Sequence, residues 1–104
     1  MAKRLIWSST AKIIRKEILQ FWITHNKSAK YSKILNAEFN KNAKQIAELP
    51  SIGIEISDSI YRGKLVKDYY LLYAIKEEII EILFIWDTRQ NPIKLLNFIK
   101  SFKK

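Results

Sequence analysis

Apolar residues recur along the first half of the chain at steps of three and four, and along the second half in short dense runs. Ala11, Ile14, Ile18, Phe21 and Trp22 mark an amphipathic helix over residues 11–24, with Lys12, Arg15 and Lys16 turned to solvent. Ser8, Ser9 and Thr10 precede it and offer the side-chain oxygens that a helix N-terminus needs, and Lys3 to Ser8 reads as a short β-prone segment. His25-Asn26-Lys27 breaks the pattern. Ser28 can then cap a second helix, in which Tyr31, Leu35, Phe39, Ala43 and Ile46 repeat until Leu49-Pro50 stops it. With only about three residues between them, the helices are expected to fold back as an antiparallel hairpin.

The period changes after Pro50. Ser51 to Ser57, containing Gly53, reads as a loop with room for a short extended piece at Ile54 to Ile56. Ile60 to Lys67, Tyr69 to Lys76 and Ile79 to Trp86 then suit a three-stranded antiparallel meander, joined at Lys67-Asp68 and Lys76-Glu77-Glu78. Glu77-Glu78 is not a favoured hairpin dipeptide, and a helix over residues 73–86 is the alternative, but the Ile and aromatic content favours strands. Pro92 to Phe102 carries Ile93, Leu96 and Ile99 with Leu95, Phe98 and Phe102 at helical spacing, which fits a short terminal helix or a packed tail. The expected architecture is α+β, one domain over residues 1–104. An N-terminal helical hairpin packs on a small antiparallel sheet made of a short N-terminal strand and the meander.

Alternation along the strands sorts their faces. Tyr69, Leu71, Tyr73 and Ile75 form the better core face, and Tyr70, Leu72, Ala74 and Lys76 point the other way. Arg62 and Lys64 share one face of the preceding strand, about 6–7 Å apart, close enough to grip a phosphate or an acidic side chain together. The plain alternative is a pair of solvated cations guarding an edge strand. Register decides whether Tyr70 and Arg89 join them.

Composition narrows the function classes. The chain has 104 residues, 48% of them apolar, which is enough for one modest core. Absence of cysteine removes disulfides and thiolate ligation, and a single histidine with scattered acids makes a poor zinc site, so no metal or cofactor is expected. No apolar run approaches the roughly 18–20 residues of a membrane span, and Leu5-Ile6-Trp7 is too short for a signal-peptide core, so a cytoplasmic protein with no membrane partner is expected. Net charge is +9, with ten basic and three acidic residues in the first fifty positions against nine and seven in the rest. That field favours nucleic acid, ribosome or an acidic protein as partner, and a lysine-rich solvated surface is the bland reading. His25 falls in the turn between helices, and Trp7, Trp22 and Trp86 sit at spacings that suit core packing.

YRGKLVKDYYLLYAI followed by IEILFIWDTRQNP resembles the sheet signature of the RelE/ParE superfamily, the toxin halves of bacterial toxin-antitoxin modules. The N-terminal IWS with its capped helix, and the long helix ending at Leu49-Pro50 before Gly53, resemble the family as well, so the likeness spans nearly the whole chain. It implies the helical hairpin on a small sheet that the residue pattern suggests separately. It also implies a growth-inhibiting toxin, of the kind used in plasmid stabilization, restrained by a cognate antitoxin whose acidic or amphipathic segment wraps the basic helices and sheet. Arg15, Lys16, Lys41, Lys44, Arg62 and Arg89 are the antitoxin- or target-binding residues expected on that basis.

The family has two branches, and this sequence departs from one of them. The nuclease branch cuts mRNA on the ribosome, and its basic positions match Arg62, Lys64 and Arg89. Tyr70 stands where that branch has an arginine for the scissile phosphate, and Leu95 or its neighbours replace a C-terminal tyrosine or histidine. Attack of a ribose 2′-hydroxyl needs a base, a donor for the leaving oxygen and cations for the added charge. Arg62, Lys64, Tyr70 and Arg89 form the catalytic set if the chain is a ribosome-dependent endoribonuclease. The gyrase-poisoning, ParE-like branch needs none of that chemistry and is the expectation preferred here. A small basic nucleic-acid-binding module without toxicity is the reading outside the family.

Overall fold

A computed structural model describes residues 3–56 and 60–89, together with Ile93 and Asn97. Strand β1 (Arg4–Trp7) leads to helices α1 (Ser9–Asn26) and α2 (Lys30–Glu48), a 3-10 turn (Pro50–Ile52), and strands β2 (Ile54–Glu55), β3 (Tyr61–Val66), β4 (Tyr69–Ile75) and β5 (Ile79–Asp87). The strands form one sheet in the order β1-β5-β4-β3-β2. The sheet is mixed rather than all antiparallel, because β1 runs parallel to β5, with Arg4 opposite Ile79 and Trp7 opposite Ile82. Strand β2 was expected only as an extended piece, and it pairs with β3 at the far edge. The segment Pro92 to Phe102 lies outside the described residues apart from Ile93 and Asn97, whose backbone is helical.

Ser8 makes the turn from β1 into α1. Its Oγ accepts from the Ala11 N–H at 3.0 Å, capping the helix, and donates to the Leu83 carbonyl at 2.9 Å, fastening that cap to β5. At the other end Lys27 takes a left-handed φ of 54°, and the Lys27 and Ser28 N–H groups both close on Ile23 O. Ser28 is not the N-cap of α2. Ala29 occupies that position, and Ser28 Oγ accepts from Lys30 N–H at 3.2 Å instead. The hairpin is antiparallel, since Ser32 Oγ donates to Leu19 O while Arg15 reaches back to Asn36.

Ala11, Leu35, Phe39, Ala43 and Ile46 from the helices pack on Val66, Tyr69, Leu71, Tyr73, Ile80, Ile82 and Ile85 from the sheet. Ile14, Ile18 and Trp22 add to this core, but Phe21 and Ile75, expected within it, are exposed. Strand β4 is also buried on its other face, where Ala74 and Tyr61 pack with Ile56 and Leu83. That double burial explains why YYLLYAI reads as a continuous apolar run. Strand β5 carries a bulge: Tyr73 pairs with Ile82 but Leu72 with Phe84, so Leu83 is the extra residue. The bulge lets Ile80, Ile82 and Ile85 all face the helices despite their uneven spacing.

Both meander turns have local support. Lys67 adopts φ 58° before Asp68, whose carbonyl accepts from Thr88 N and Oγ1 at 2.9 Å each. The unfavoured Glu77-Glu78 turn is closed by Lys76 N–H on Ile79 O at 2.8 Å, and Lys3 Nζ donates to the Lys76 and Glu77 carbonyls.

Beyond α2, the Tyr73 hydroxyl donates to Pro50 O at 2.7 Å and accepts from Gly53 N–H at 2.9 Å, within the buried core. A Cβ at Gly53 would stand 2.5 Å from that hydroxyl and 2.9 Å from Gly63 O. Gly53→Ala is therefore expected to cost about 1–3 kcal/mol through overpacking. Tyr73→Phe should cost about 1–3 kcal/mol by leaving the Gly53 N–H unpaired. Urea denaturation of the two variants checks both, and an unchanged midpoint for Gly53→Ala would show that the loop gives way freely.

Candidate functional site

Strand register separates the four residues of the expected nuclease set. Arg62 lies opposite Tyr73 and Lys64 opposite Leu71, so both share the face that carries the helices. Tyr70 lies opposite Leu65 on one side and Trp86 on the other, which puts it on the opposite face of the sheet. Arg89 follows β5, where Asp87 pairs with Tyr69, about 13 Å along β4 from the Tyr73 that faces Arg62. The sheet therefore brings Arg62 and Lys64 to one face, sends Tyr70 to the other, and holds Arg89 at a distant corner.

Each arginine is already engaged. Arg62 Nη1 donates to Gly53 O at 2.7 Å, and Nη2 meets Glu55 at 3.4 Å, so the side chain ties β3 to the loop after α2. Arg89 grips Asp87 with both Nε and Nη2, at 2.9 and 2.7 Å, and its backbone N–H adds a third bond to the same carboxylate. Its guanidinium carbon stands 5.8 Å from the Trp22 ring centre. The hydrogen bond to Asp87 raises the Arg89 pKa still further above its usual range, and the same bond lowers that of Asp87. Lys64 has only a long contact to Leu65 O at 3.4 Å.

Arg15 does not face solvent as the helical period suggests. It lies half-buried between the helices, donating to Asn36 Oδ1 at 3.0 and 2.6 Å and to Asn40 Oδ1 at 2.6 Å, with its guanidinium 4.6 Å from the Trp7 ring centre. Burial lowers its pKa. Lys16, Lys41 and Lys44 are exposed on the helices. His25 is exposed and stacks on Phe21 with ring centres 5.4 Å apart. Trp22 Nε1 donates to Tyr69 Oη at 2.9 Å, joining that corner of the helices to the sheet.

A groove of about 590 Å³ runs between α1 and the second half of β5. Ile14, Ile18 and Phe21 form its helical wall, Ile85 and Trp86 line it from β5, and Glu17, Asp87 and Arg89 supply its charged groups. Sequence reasoning passed over this groove. The groove arises because the four-residue Arg4–Trp7 strand covers only the first half of the nine-residue Ile79–Asp87 strand, and that pairing carries no sign in the sequence. Among the described residues no group of His, Asp and Glu converges to hold a metal ion, and no helix is long and apolar enough to cross a membrane.

No family model matches the sequence, and no curated protein matches it either. The fold does have solved counterparts. A chain of a structure described as the chromosomal ParDE TA system from P. aeruginosa superposes with a TM-score of 0.72 at 14% identity, covering 85% of this chain and 98% of that one. The two chains thus share a fold.

Two expectations follow from the side-chain geometry. Arg15→Ala should cost about 1.5–3 kcal/mol, the range for hydrogen bonds to a charged group, and Lys16→Ala less than about 0.5 kcal/mol; equal losses in chemical denaturation would contradict the buried placement of Arg15. A carboxyl whose pKa falls on folding stabilises the fold above its unfolded pKa of about 3.9 and loses that contribution as pH drops through the lower folded value. A carbon-13 NMR titration should accordingly give Asp87 a midpoint below about 3.9 that moves up in Arg89→Gln. A midpoint unmoved by that substitution would mean the pair does not form in solution.

Proposed function

We propose that this chain is the toxin of a type II toxin-antitoxin module, held inactive in the cytoplasm by a cognate antitoxin, and that it acts as a ParE-like poison of DNA gyrase. The observation that carries the toxin reading is the shared fold, which spans nearly the full length of a chain from a ParDE toxin-antitoxin structure. The sheet and loop motifs that resemble the RelE/ParE superfamily support it along the same elements.

The choice of branch rests on chemistry. Cleavage of RNA needs its cations and proton donor around one phosphate. Here Tyr70 lies on the opposite sheet face from Arg62 and Lys64, and Arg89 is spent on Asp87 at another corner. A poison that acts by binding gyrase needs surface complementarity and no such convergence. The exposed Lys16, Lys41 and Lys44 suit an acidic antitoxin segment, and the chain's charge of +9 would speed that encounter.

Induced expression in bacteria is expected to arrest growth, and co-expression of a small acidic reading frame adjoining the gene is expected to restore it. Normal growth under strong, verified expression would sink the toxin reading and favour a basic nucleic-acid-binding module.

A further inference from the structure

The sheet has a second face. Tyr70, Leu72 and Ala74 of β4 turn away from the helices, and register sets Phe84 and Trp86 of β5 beside them. A sheet face left to water carries polar, exposed residues at such positions. This face is dry instead: Leu72 is 2% exposed and Trp86 6%, comparable to the residues beneath the hairpin. Both helices pack on the opposite side, and among the described residues up to Asp87 no helix or strand crosses this one. Ile56 and Leu83 shelter its end at Tyr61 and Ala74.

The stretch that follows β5 has the pattern of a covering layer. Pro92 to Phe102 offers two apolar rows at helical spacing, Ile93-Leu96-Ile99 and Leu95-Phe98-Phe102. The backbone at Ile93 and Asn97 is helical, Ile93 is 62% exposed, and Asn97 is exposed as well. At 3.6 residues per turn these two mark one outward line, about 120–180° from Leu95, Phe98 and Phe102. That geometry rules out the first row as the buried one and turns the second inward. Thr88 bonds Asp68 O, so the chain leaves β5 next to Trp86. Eleven helical residues reach about 16 Å, more than the roughly 10 Å from β5 across β4 to β3.

We propose that residues 92–102 form a third helix lying across the sheet face opposite the hairpin, with Leu95, Phe98 and Phe102 against Leu72, Phe84 and Trp86. The occupant is this chain's own segment, because it begins beside the face and carries a matching apolar row. A second copy would bring +9 against +9, which opposes self-association. The groove between α1 and β5 is the rival seat, and Glu17 and Asp87 there would suit the lysines of the segment. Phe21 on the groove wall nevertheless stays 51% exposed, whereas the sheet face is already dry. Lys100 falls near the outward line, where its charge stays in water. Such a helix closes the face that carries Tyr70 to a nucleic-acid strand.

Nuclear Overhauser spectra of the isotope-labelled whole chain provide the test. Cross-peaks are expected from the Phe98 ring to the Leu72 methyls and the Trp86 indole. Phe98→Asp should speed amide exchange at Leu72 by at least about tenfold, and Ile93→Asp, at an exposed position, should leave it unchanged. The proposal is overturned if the Phe98 ring contacts Ile14 or Ile18 in the groove instead, if it touches neither Leu72 nor Trp86, or if the contacts arise only between labelled and unlabelled copies. Equal exchange rates in the two variants would overturn it as well. The Overhauser contacts are read in the unaltered chain, so they decide the matter even where Phe98→Asp fails to fold. Growth arrest tests the toxin reading separately, and none of these outcomes alters it.

Discussion

The register of β4 between β3 and β5, with the bulge at Leu83, is the constraint on which the rest of the molecule depends. It decides which side chains meet the helices: Tyr69, Leu71 and Tyr73 from β4, Val66 from β3, and Ile80, Ile82 and Ile85 from β5. Without the extra residue, alternation would carry Ile85 and Asp87 to the far face. Asp87 could then no longer hold Arg89 against the corner where Trp22 bonds Tyr69. The same register assigns Arg62 to the helix side, where it ties the Gly53 carbonyl, and Tyr70 to the other.

Much of this was legible in the residue pattern, and what was not has identifiable causes. Periodicity located both helices, and the dense Ile and aromatic runs located β3, β4 and β5, because each element buries a continuous face. The parallel pairing of β1 with β5 was hidden, since a four-residue strand carries no sign of its distant partner. Arg15 was misassigned because helical period treats any cation as a surface residue. The counter-signal was Asn36 and Asn40, one turn apart on α2 and so presenting two amide oxygens from one face. Of the four residues grouped by family likeness, alternation alone paired Arg62 with Lys64; the separation from Tyr70 and Arg89 needed the register.

The proposed function leans on how these cations are used. Arg62 braces a loop, Arg15 braces the helical hairpin and Arg89 is locked to a carboxylate, so three of the most distinctive basic side chains already serve the fold. The basic groups left to a partner are chiefly exposed lysines, suited to long-range attraction rather than to the two-pronged grip that an arginine gives a phosphate. A scaffold arranged this way is better equipped to bind proteins than to stabilise a phosphorane.

The most direct measurement incubates the purified chain with DNA gyrase and supercoiled plasmid, and in parallel with programmed ribosomes, scoring DNA strand breaks and mRNA ends together. The account predicts gyrase-dependent linear DNA and intact mRNA. Cleaved mRNA with undamaged plasmid would contradict it, and would mean that Arg62, Lys64, Tyr70 and Arg89 are brought together on the ribosome despite their separation in the free chain.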